Sequence, residues 1–208
     1  MVKLLVVDPY PIVSKGLELV FETTRDISFV GTLSDGEAIF DFLKHNKVDV
    51  ILCEIDLPKL NGITALRKIR KEHPEVKVIM FSAQPEEVYA LNAIKLGAAG
   101  YLSKTTDIIT IKDAIIKAYM GSTYLSEAMT IRLTQSKKNN SGTTFFKKLS
   151  NREIEVLKLL TSGKRNKEIA QELAINEKTV STYRARLMKK LNVTNIVDLV
   201  NQAKQLEL

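Results

Sequence analysis

The first 125 residues alternate between two hydrophobic patterns, and this alternation is the strongest constraint on the fold. Five short apolar runs rich in Val, Ile and Leu occur at 3–7, 28–33, 48–53, 77–81 and 99–102. Between them, apolar residues recur at helical spacing, as at Ile111, Ala114, Ile115 and Ala118. Continuous apolar runs are typical of strands buried on both faces, and the intervening helices act as crossovers. The pattern predicts an α/β domain with a doubly wound, five-stranded parallel sheet.

The end of the chain has a purely helical pattern. Ser150 and Glu153 have capping-box spacing before an apolar run, and Gly163 is placed to end that helix. Asn166 is expected to cap a second helix at 167–173, a tight turn follows at 175–176, and further helices are expected at about 177–191 and 196–206. Two helices joined by a short turn predict a helix-turn-helix, whose second helix enters the major groove of DNA.

A polar segment separates these two patterns. The stretch QSKKNNSGTT at 135–144 has no periodicity and contains Gly and Ser, as flexible linkers do, although 131–133 can extend a short helix. We therefore predict a domain at 1–122, a linker at 123–146 and a small four-helix domain at 147–208.

The charge of the chain is unevenly distributed. Residues 131–208 carry 16 Lys/Arg and 7 Asp/Glu, a net charge of +9, whereas residues 1–130 carry 15 and 17, a net charge of −2. A basic module joined to a near-neutral one favours a polyanion partner, although lysine-rich surfaces also serve solubility. The exposed face of the 177–191 helix offers small polar groups for base edges and cations for phosphates. A protein-binding adaptor with a solvated basic face is the alternative.

Composition narrows the function classes. The single cysteine, Cys53, excludes an internal disulfide, and no apolar run reaches the roughly 18 residues that span a bilayer. We therefore expect a cytoplasmic protein with no membrane partner. His45 and His73 are too isolated to predict a metal site. Because no nucleophile–base pair or phosphate loop is visible, we expect neither an enzyme nor a cofactor.

The C-terminal motifs carry a specific family resemblance. They are LSNRE at 149–153, Gly163, NKEIA at 166–170, KTVSTY at 178–183 and KKL at 189–191. This stretch of about 60 residues resembles the DNA-binding domain of the LuxR/NarL family of response regulators, and KTVSTY most resembles the BvgA/EvgA branch. The resemblance implies a four-helix domain that binds double-stranded DNA as a homodimer. RNA polymerase is a further candidate partner.

The resemblance also implies roles for individual residues. Side chains matching Ser181, Thr182 and Ala185 face bases, and those matching Lys178 and Thr179 approach the DNA backbone. The expected interface is completed by Lys167, Tyr183, Arg186 and Lys189. The last helix is expected to pair two copies, with candidate contacts at Val197, Val200, Ala203 and Lys204.

The N-terminal motifs VVDPYPIVSKGL, CEIDLPKLNG, IMFSA and GAAGYLSK resemble the receiver domain of the same regulators, which has a flavodoxin/CheY-like fold. A receiver accepts a phosphoryl group from a histidine kinase onto an aspartate, with a Mg²⁺ ion held by carboxylates. Four residues match that machinery: the first acid Asp8, the switch hydroxyl Ser82, the switch aromatic Tyr101 and the lysine Lys104.

Two positions depart from the receiver pattern. Pro9 stands where a second acidic metal ligand is expected, and Glu54 stands in place of the phosphoacceptor aspartate. The longer glutamate misplaces its carboxylate for in-line transfer, and the loss of a ligand weakens Mg²⁺ binding. Asp56 matches a loop position that reaches the metal through its backbone carbonyl in receivers. Asp8 and Glu54, together with Asp56, are the remaining candidate metal ligands, and the role of a kinase stays open.

Several interpretations of this pocket remain at this point. Glu54 can stand in for a phosphorylated aspartate by reaching towards Lys104 and Ser82, which would hold an active-like state. The domain can instead serve only as a dimerisation scaffold, or respond to another ligand. A conventional regulator phosphorylated at Asp56 is a further alternative. We expect a sequence-specific DNA-binding regulator that is active without ordinary aspartyl phosphorylation.

Overall fold

The computed structural model describes residues 1–135, 149–191 and 193–204. The chain divides into two compact units, residues 1–139 and 140–208.

The first unit is a five-stranded parallel sheet in the order β2-β1-β3-β4-β5. Its strands are β1 (Val2–Val7), β2 (Ile27–Leu33), β3 (Val50–Cys53), β4 (Lys77–Ser82) and β5 (Gly100–Ser103). Its helices are α1 (Pro11–Glu22), α2 (Ala38–His45), α3 (Gly62–Glu72), α4 (Glu86–Lys95), α5 (Ile108–Tyr119) and α6 (Glu127–Gln135). The predicted doubly wound α/β fold is thus confirmed.

Burial explains the continuous apolar runs. Every residue of β3 is buried, as are the last four residues of β1, because helices cover both faces of the central strands. One buried cluster joins alternate residues of the strands to apolar residues of α1 and α5, among them Leu17, Phe21 and Ile111. These two helices therefore cover the same face of the sheet.

The residues after α5 form part of the first unit. The Tyr124 backbone N–H donates to the Ala99 carbonyl at 2.8 Å, beside the edge strand β5. Met129 of α6 is buried, and the Ser126 hydroxyl donates to the Glu86 carboxylate at 2.8 Å. The linker predicted at 123–146 therefore starts with ordered structure, because this segment has its own packing contacts. Residues 136–146 of that prediction lie outside the described residues.

The second unit is helical, with α7 (Asn151–Thr161), α8 (Asn166–Glu172), α9 (Glu177–Leu191) and α10 (Ile196–Lys204). The capping box of α7 is present: Ser150 Oγ accepts from the Glu153 backbone N–H, and Glu153 Oε2 accepts from the Ser150 backbone N–H at 2.6 Å. Gly163 has a φ of +82° just after α7, the conformation that favours glycine at a helix end.

One expectation about the caps of these helices needs correction. Asn166 is the first residue of α8, and its cap is Arg165, whose backbone N–H donates to Glu168 Oε2 at 2.6 Å. Asn176 caps α9 instead, since its Oδ1 accepts from the Thr179 backbone N–H at 2.8 Å. Residues 205–206 of the expected last helix lie outside the described residues. Within the described part of the chain, no helix combines the length and apolar character needed to cross a membrane.

Candidate pocket and nucleic-acid interface

The carboxyl ends of four strands bring the polar residues of the first unit together. Asp8 directly follows β1, Glu54 follows β3, and Lys104 follows β5, while Ser82 is the last residue of β4. Sheet-like hydrogen bonds continue past the strand ends: Glu54 N–H donates to the Val7 carbonyl at 2.9 Å, and Lys104 N–H donates to the Ser82 carbonyl at 3.0 Å. These backbone hydrogen bonds therefore fix the positions of the residues whose side chains form the pocket.

Lys104 lies between two buried carboxylates. Its Nζ is 2.8 Å from Asp8 Oδ2 and 2.6 Å from Glu54 Oε2. Asp8 and Glu54 are only 3% and 4% exposed, so the Lys104 ammonium compensates the negative charge of both buried acids. Burial alone would lower the pKa of Lys104, but its interactions with Asp8 and Glu54 outweigh burial and raise that pKa. The lysine is therefore held in its charged form.

The Glu54 carboxylate is also fixed on its other oxygen. Oε1 accepts from the Ser82 hydroxyl and from the Ile55 backbone N–H, the latter at 2.6 Å. Gly62 lies directly behind this turn, where an added Cβ would be only 2.0 Å from the Glu54 carbonyl oxygen. Glu54 thus contacts the hydroxyl and the lysine at once, and the glycine permits the backbone turn that places it.

The Asp56 side chain lies outside this cluster, although the Asp56 backbone N–H donates to Glu54 Oε1 at 3.3 Å. It is exposed, and its carboxylate accepts from the Gln84 side-chain amide. Gln84 also donates its backbone N–H to Ser82 Oγ at 3.2 Å, and its carbonyl accepts from the Tyr101 hydroxyl at 2.7 Å. Burial raises the pKa of the Tyr101 phenol, so it stays a neutral donor. Sequence reasoning missed Gln84, whose role depends on three contacts made by a loop.

This arrangement does not fit a Mg²⁺ ion. The Lys104 ammonium lies within ion-pair distance of both Asp8 and Glu54, the two carboxylates that face the pocket. Pro9 offers no side-chain ligand. Within the described residues, no group of three or more His, Cys, Asp or Glu side chains is placed to hold a metal ion.

Burial, with added repulsion from Glu54 and Asp8, raises the pKa of the Cys53 thiol, which keeps it protonated.

The face of the second unit that the sequence predicts to meet DNA is the exposed side of α9. Val180, Leu187 and Leu191 are buried on the opposite side, as their spacing predicts. The expected interface residues that are exposed are Lys167, Lys178, Ser181, Thr182, Ala185, Arg186 and Lys189. Thr179 and Tyr183 are partly buried. One face of a helix therefore combines short side chains with cations around them.

Two asparagines organise this face, and sequence reasoning did not assign them this role. Asn176 Oδ1 accepts from the Thr179 hydroxyl at 2.9 Å. Asn166 Nδ2 donates to Ser181 Oγ at 3.1 Å, which joins the start of α8 to α9. Asparagine is common at helix starts for capping alone. The sequence therefore predicts a helix start and a turn at these two residues, and not contacts with the exposed side chains of α9.

The two adjacent lysines of α9 differ in their contacts. Lys190 Nζ lies 2.8 Å from Glu153 Oε2, the buried carboxylate of the α7 capping box. Lys189 is exposed on the side of the helix that is predicted to meet DNA. Burial opposes ionisation of Glu153, but the hydrogen bonds from Lys190 and Ser150 outweigh burial and lower the pKa of Glu153. Lys190 therefore holds α9 against α7, and Lys189 remains available to a partner.

The expected dimer contacts on α10 separate by burial. Val197 is 62% exposed, and Val200 is partly buried. Ala203 is fully buried within the domain, so its expected place on a dimer surface is corrected: it faces the core. Lys204 ends α10, and its side chain lies outside the described residues.

A parallel α/β unit with this pocket, followed by a helix-turn-helix unit, is the organisation of a response regulator. A family model described as the response regulator receiver domain matches residues 4–116, and one described as bacterial regulatory proteins of the luxR family matches residues 147–203. The chain therefore belongs to the LuxR family of response regulators, the DNA-binding regulators of two-component systems.

Known relatives match nearly the whole length of the chain. The Fimbriae Z protein of Escherichia coli K12 is 34% identical over 204 residues, covering 98% of this chain and 97% of its own. Response regulator UvrY of the same strain is 33% identical over 205 residues, covering 98% and 94%. The solved structure of RcsB from Salmonella enterica serovar Typhimurium, bound to promoter rprA with the phosphomimetic BeF₃⁻, is 25% identical, with a TM-score of 0.74 and 96% of each chain covered.

Proposed function

We propose that this protein is a sequence-specific transcription regulator that binds DNA as a homodimer without aspartyl phosphorylation. The observation that carries the proposal is the position of Glu54. Its carboxylate contacts both Lys104, at 2.6 Å, and the Ser82 hydroxyl. Receivers use these two groups to hold a phosphoryl group, so a permanent carboxylate between them substitutes for that charge.

The contacts of Ser82 extend this effect to the surface of the domain. Ser82 Oγ donates to Glu54 and accepts from the Gln84 backbone N–H, and the Gln84 carbonyl accepts from the Tyr101 hydroxyl. Tyr101 is 1% exposed, so its ring is held inside. The Glu54–Ser82 contact thereby stabilises one arrangement of the loop after β4 and of the aromatic switch residue. A phosphorylated aspartate would act on the same loop.

The DNA-binding part of the proposal rests on α9 and on one relative. The exposed short side chains of α9 suit base edges, and its exposed cations suit phosphates. The related RcsB structure is described as bound to a promoter in the presence of a phosphomimetic. We infer that this chain binds an operator in the same way, with Glu54 making the phosphomimetic unnecessary.

The test compares the DNA affinity of full-length variants on a site selected with the wild type at fixed salt. Glu54→Gln keeps the size of the side chain but removes its charge. We expect it to weaken DNA binding between about 5-fold and 150-fold, the usual range of coupling between two sites. Glu72→Gln is the matched control, because it makes the same change at the exposed end of α3, at a residue that is not part of the Lys104 cluster or of the loop after β4. It should bind as the wild type does.

Three other outcomes would each point to a different mechanism. Equal affinity of the wild type and Glu54→Gln would leave the first domain as a dimerisation scaffold. Covalent incorporation of phosphate from acetyl phosphate, lost in Asp56→Asn, would indicate a conventional regulator with an unusual acceptor. Binding that requires an added small molecule would indicate regulation by a different ligand.

A further inference from the structure

The hydroxyls on the exposed face of α9 already use their protons within the domain. Ser181 Oγ donates to the Glu177 carbonyl at 3.0 Å, and Thr182 Oγ1 donates to the Lys178 carbonyl at 2.9 Å. A hydroxyl has one O–H donor and two acceptor lone pairs. With their protons engaged, both side chains present only acceptors to a partner.

Asn166 adds a second constraint at Ser181. Its Nδ2 donates to Ser181 Oγ at 3.1 Å and so occupies one of the two lone pairs. Asn166 is the first residue of α8, where the helix fixes its backbone, and it is only partly exposed. Ser181 is thus held from both helices of the helix-turn-helix, with a single acceptor position left for a ligand.

We propose that Asn166 is a specificity-positioning residue that holds Ser181 as an acceptor for an exocyclic amino group in the major groove. This inference rests on the proposed function, because it takes α9 as the helix that meets DNA. In the major groove, adenine N6 and cytosine N4 are donors, whereas guanine presents the acceptors O6 and N7. Ser181 therefore selects adenine or cytosine at its position and rejects guanine.

The neighbouring residues support a division between side chains that read bases and side chains that bind phosphates. Ala185 lies one turn after Ser181 and offers only a methyl group, which suits the thymine methyl. Neither residue is a cation, and a cation is the commonest reader of guanine. Lys167, next to Asn166, is exposed and suits a phosphate, which carries no sequence information. Adjacent residues at the start of α8 thus serve selectivity and affinity separately.

The experiment measures base preference at each position of the operator. A site selected with the full-length wild type is changed to all four bases at each position, and Kd is measured at fixed salt. At one position per half-site, the wild type should prefer adenine or cytosine over guanine roughly ten-fold, as for a good base contact. Ser181→Ala and Asn166→Ala should both flatten that preference, and the double variant should do no more. Lys167→Ala, the control, should weaken binding to all sites equally.

Two results would overturn the inference. One is an unchanged base preference in Asn166→Ala. The other is a wild-type preference for guanine that Ser181→Ala removes. Thermal unfolding of each variant shows whether it is folded. If Asn166→Ala fails to fold, Ser181→Ala still tests the base class, because Ser181 lies on the exposed face. If the wild type binds no sequence selectively, the proposed function fails as well. Selective binding that is insensitive to Asn166 and Ser181 defeats only this inference.

Discussion

Lys104 is the cation that pairs with both buried carboxylates of the pocket in the first unit. It faces the two buried carboxylates of Asp8 and Glu54, so the cluster has a net charge of −1. Breaking a buried ion pair leaves an uncompensated charge, which costs more than the pair contributes. Glu54→Gln relieves part of the repulsion between the acids, whereas Lys104→Ala leaves both of them unpaired. The glutamine variant is therefore the cleaner probe of function.

The adjacent lysines of α9 give a prediction at this scale. Lys190→Ala removes the partner of the buried Glu153 and should lower the free energy of unfolding by about 1–2 kcal/mol. Lys189→Ala removes an exposed cation and should change it by less than about 0.5 kcal/mol, but should weaken DNA binding. Urea unfolding and DNA titration of the two full-length variants test this. Equal stability losses would contradict the assigned contacts.

The pH dependence of these variants checks the same contact. The pKa of Glu153 is lowered in the folded protein, mainly because the hydrogen bonds from Lys190 and Ser150 outweigh its burial. Its contribution to stability is therefore complete above the ordinary glutamate pKa and is lost as the pH falls through the lowered value. Lys190→Ala should lose less stability than the wild type on acidification through this window. A parallel loss in both proteins would show that Glu153 does not depend on Lys190.

At the scale of elements, two glycines have opposite roles. Gly16 lies within α1, and an added Cβ there would meet nothing within 4 Å. Gly62 starts α3, and an added Cβ there would be 2.0 Å from the Glu54 carbonyl oxygen. Gly16→Ala should therefore stabilise the protein by about 0.5–1 kcal/mol, because glycine loses more entropy in a helix. Gly62→Ala should destabilise it by at least about 2 kcal/mol, because backbone must move.

Unfolding free energies of these two matched variants test the close packing behind Glu54. DNA binding adds a second readout, since a shift of the turn at Gly62 would also move the Glu54 carboxylate. Tolerance of alanine at both positions would show that the turn relaxes without cost. That result would weaken the case for a rigid Glu54.

The elements themselves were readable from the sequence because their causes are local. Continuous apolar runs identified all five strands to within two residues, although the edge strand β2 is only partly buried. The capping box at Ser150 and the glycine at 163 were equally local signals. The pairing of Asn166 with Ser181 was not, since it requires two helices to meet across a turn. Ala203 was misassigned because a small residue on a short helix suits either a core or an interface.

The pocket shows the same limit. The receiver motifs predicted which side chains gather at the strand ends, because parallel strands end at one edge of the sheet. They did not predict Gln84, which contacts Asp56, Ser82 and Tyr101 only through the path of one loop. Nor did they fix how one lysine is shared between Asp8 and Glu54. Sequence patterns predicted the four residues that meet at the strand ends, and tertiary contacts decided the remaining members and the electrostatics of the site.

For the whole molecule, the uneven distribution of charge predicts how DNA affinity depends on salt concentration. Residues 131–208 carry a net charge of +9, and residues 1–130 carry −2. The exposed cations assigned to phosphates are Lys167, Lys178, Arg186 and Lys189. A homodimer presents two such sets, or about eight cations, and each phosphate neutralised releases counterions. DNA affinity should therefore fall steeply as the salt concentration rises, because the cations of the second unit contact the phosphates.

The slope of log affinity against log salt concentration measures this. With about eight phosphate contacts, we expect a slope of roughly −7. Lys189→Ala should make it shallower by about 2 in a dimer, or by about 1 if a single copy binds. Lys190→Ala should leave the slope unchanged, because that lysine is paired with Glu153. A flat salt response would contradict the assigned interface, and equal changes for both lysines would mean that the Lys190–Glu153 pair opens on DNA.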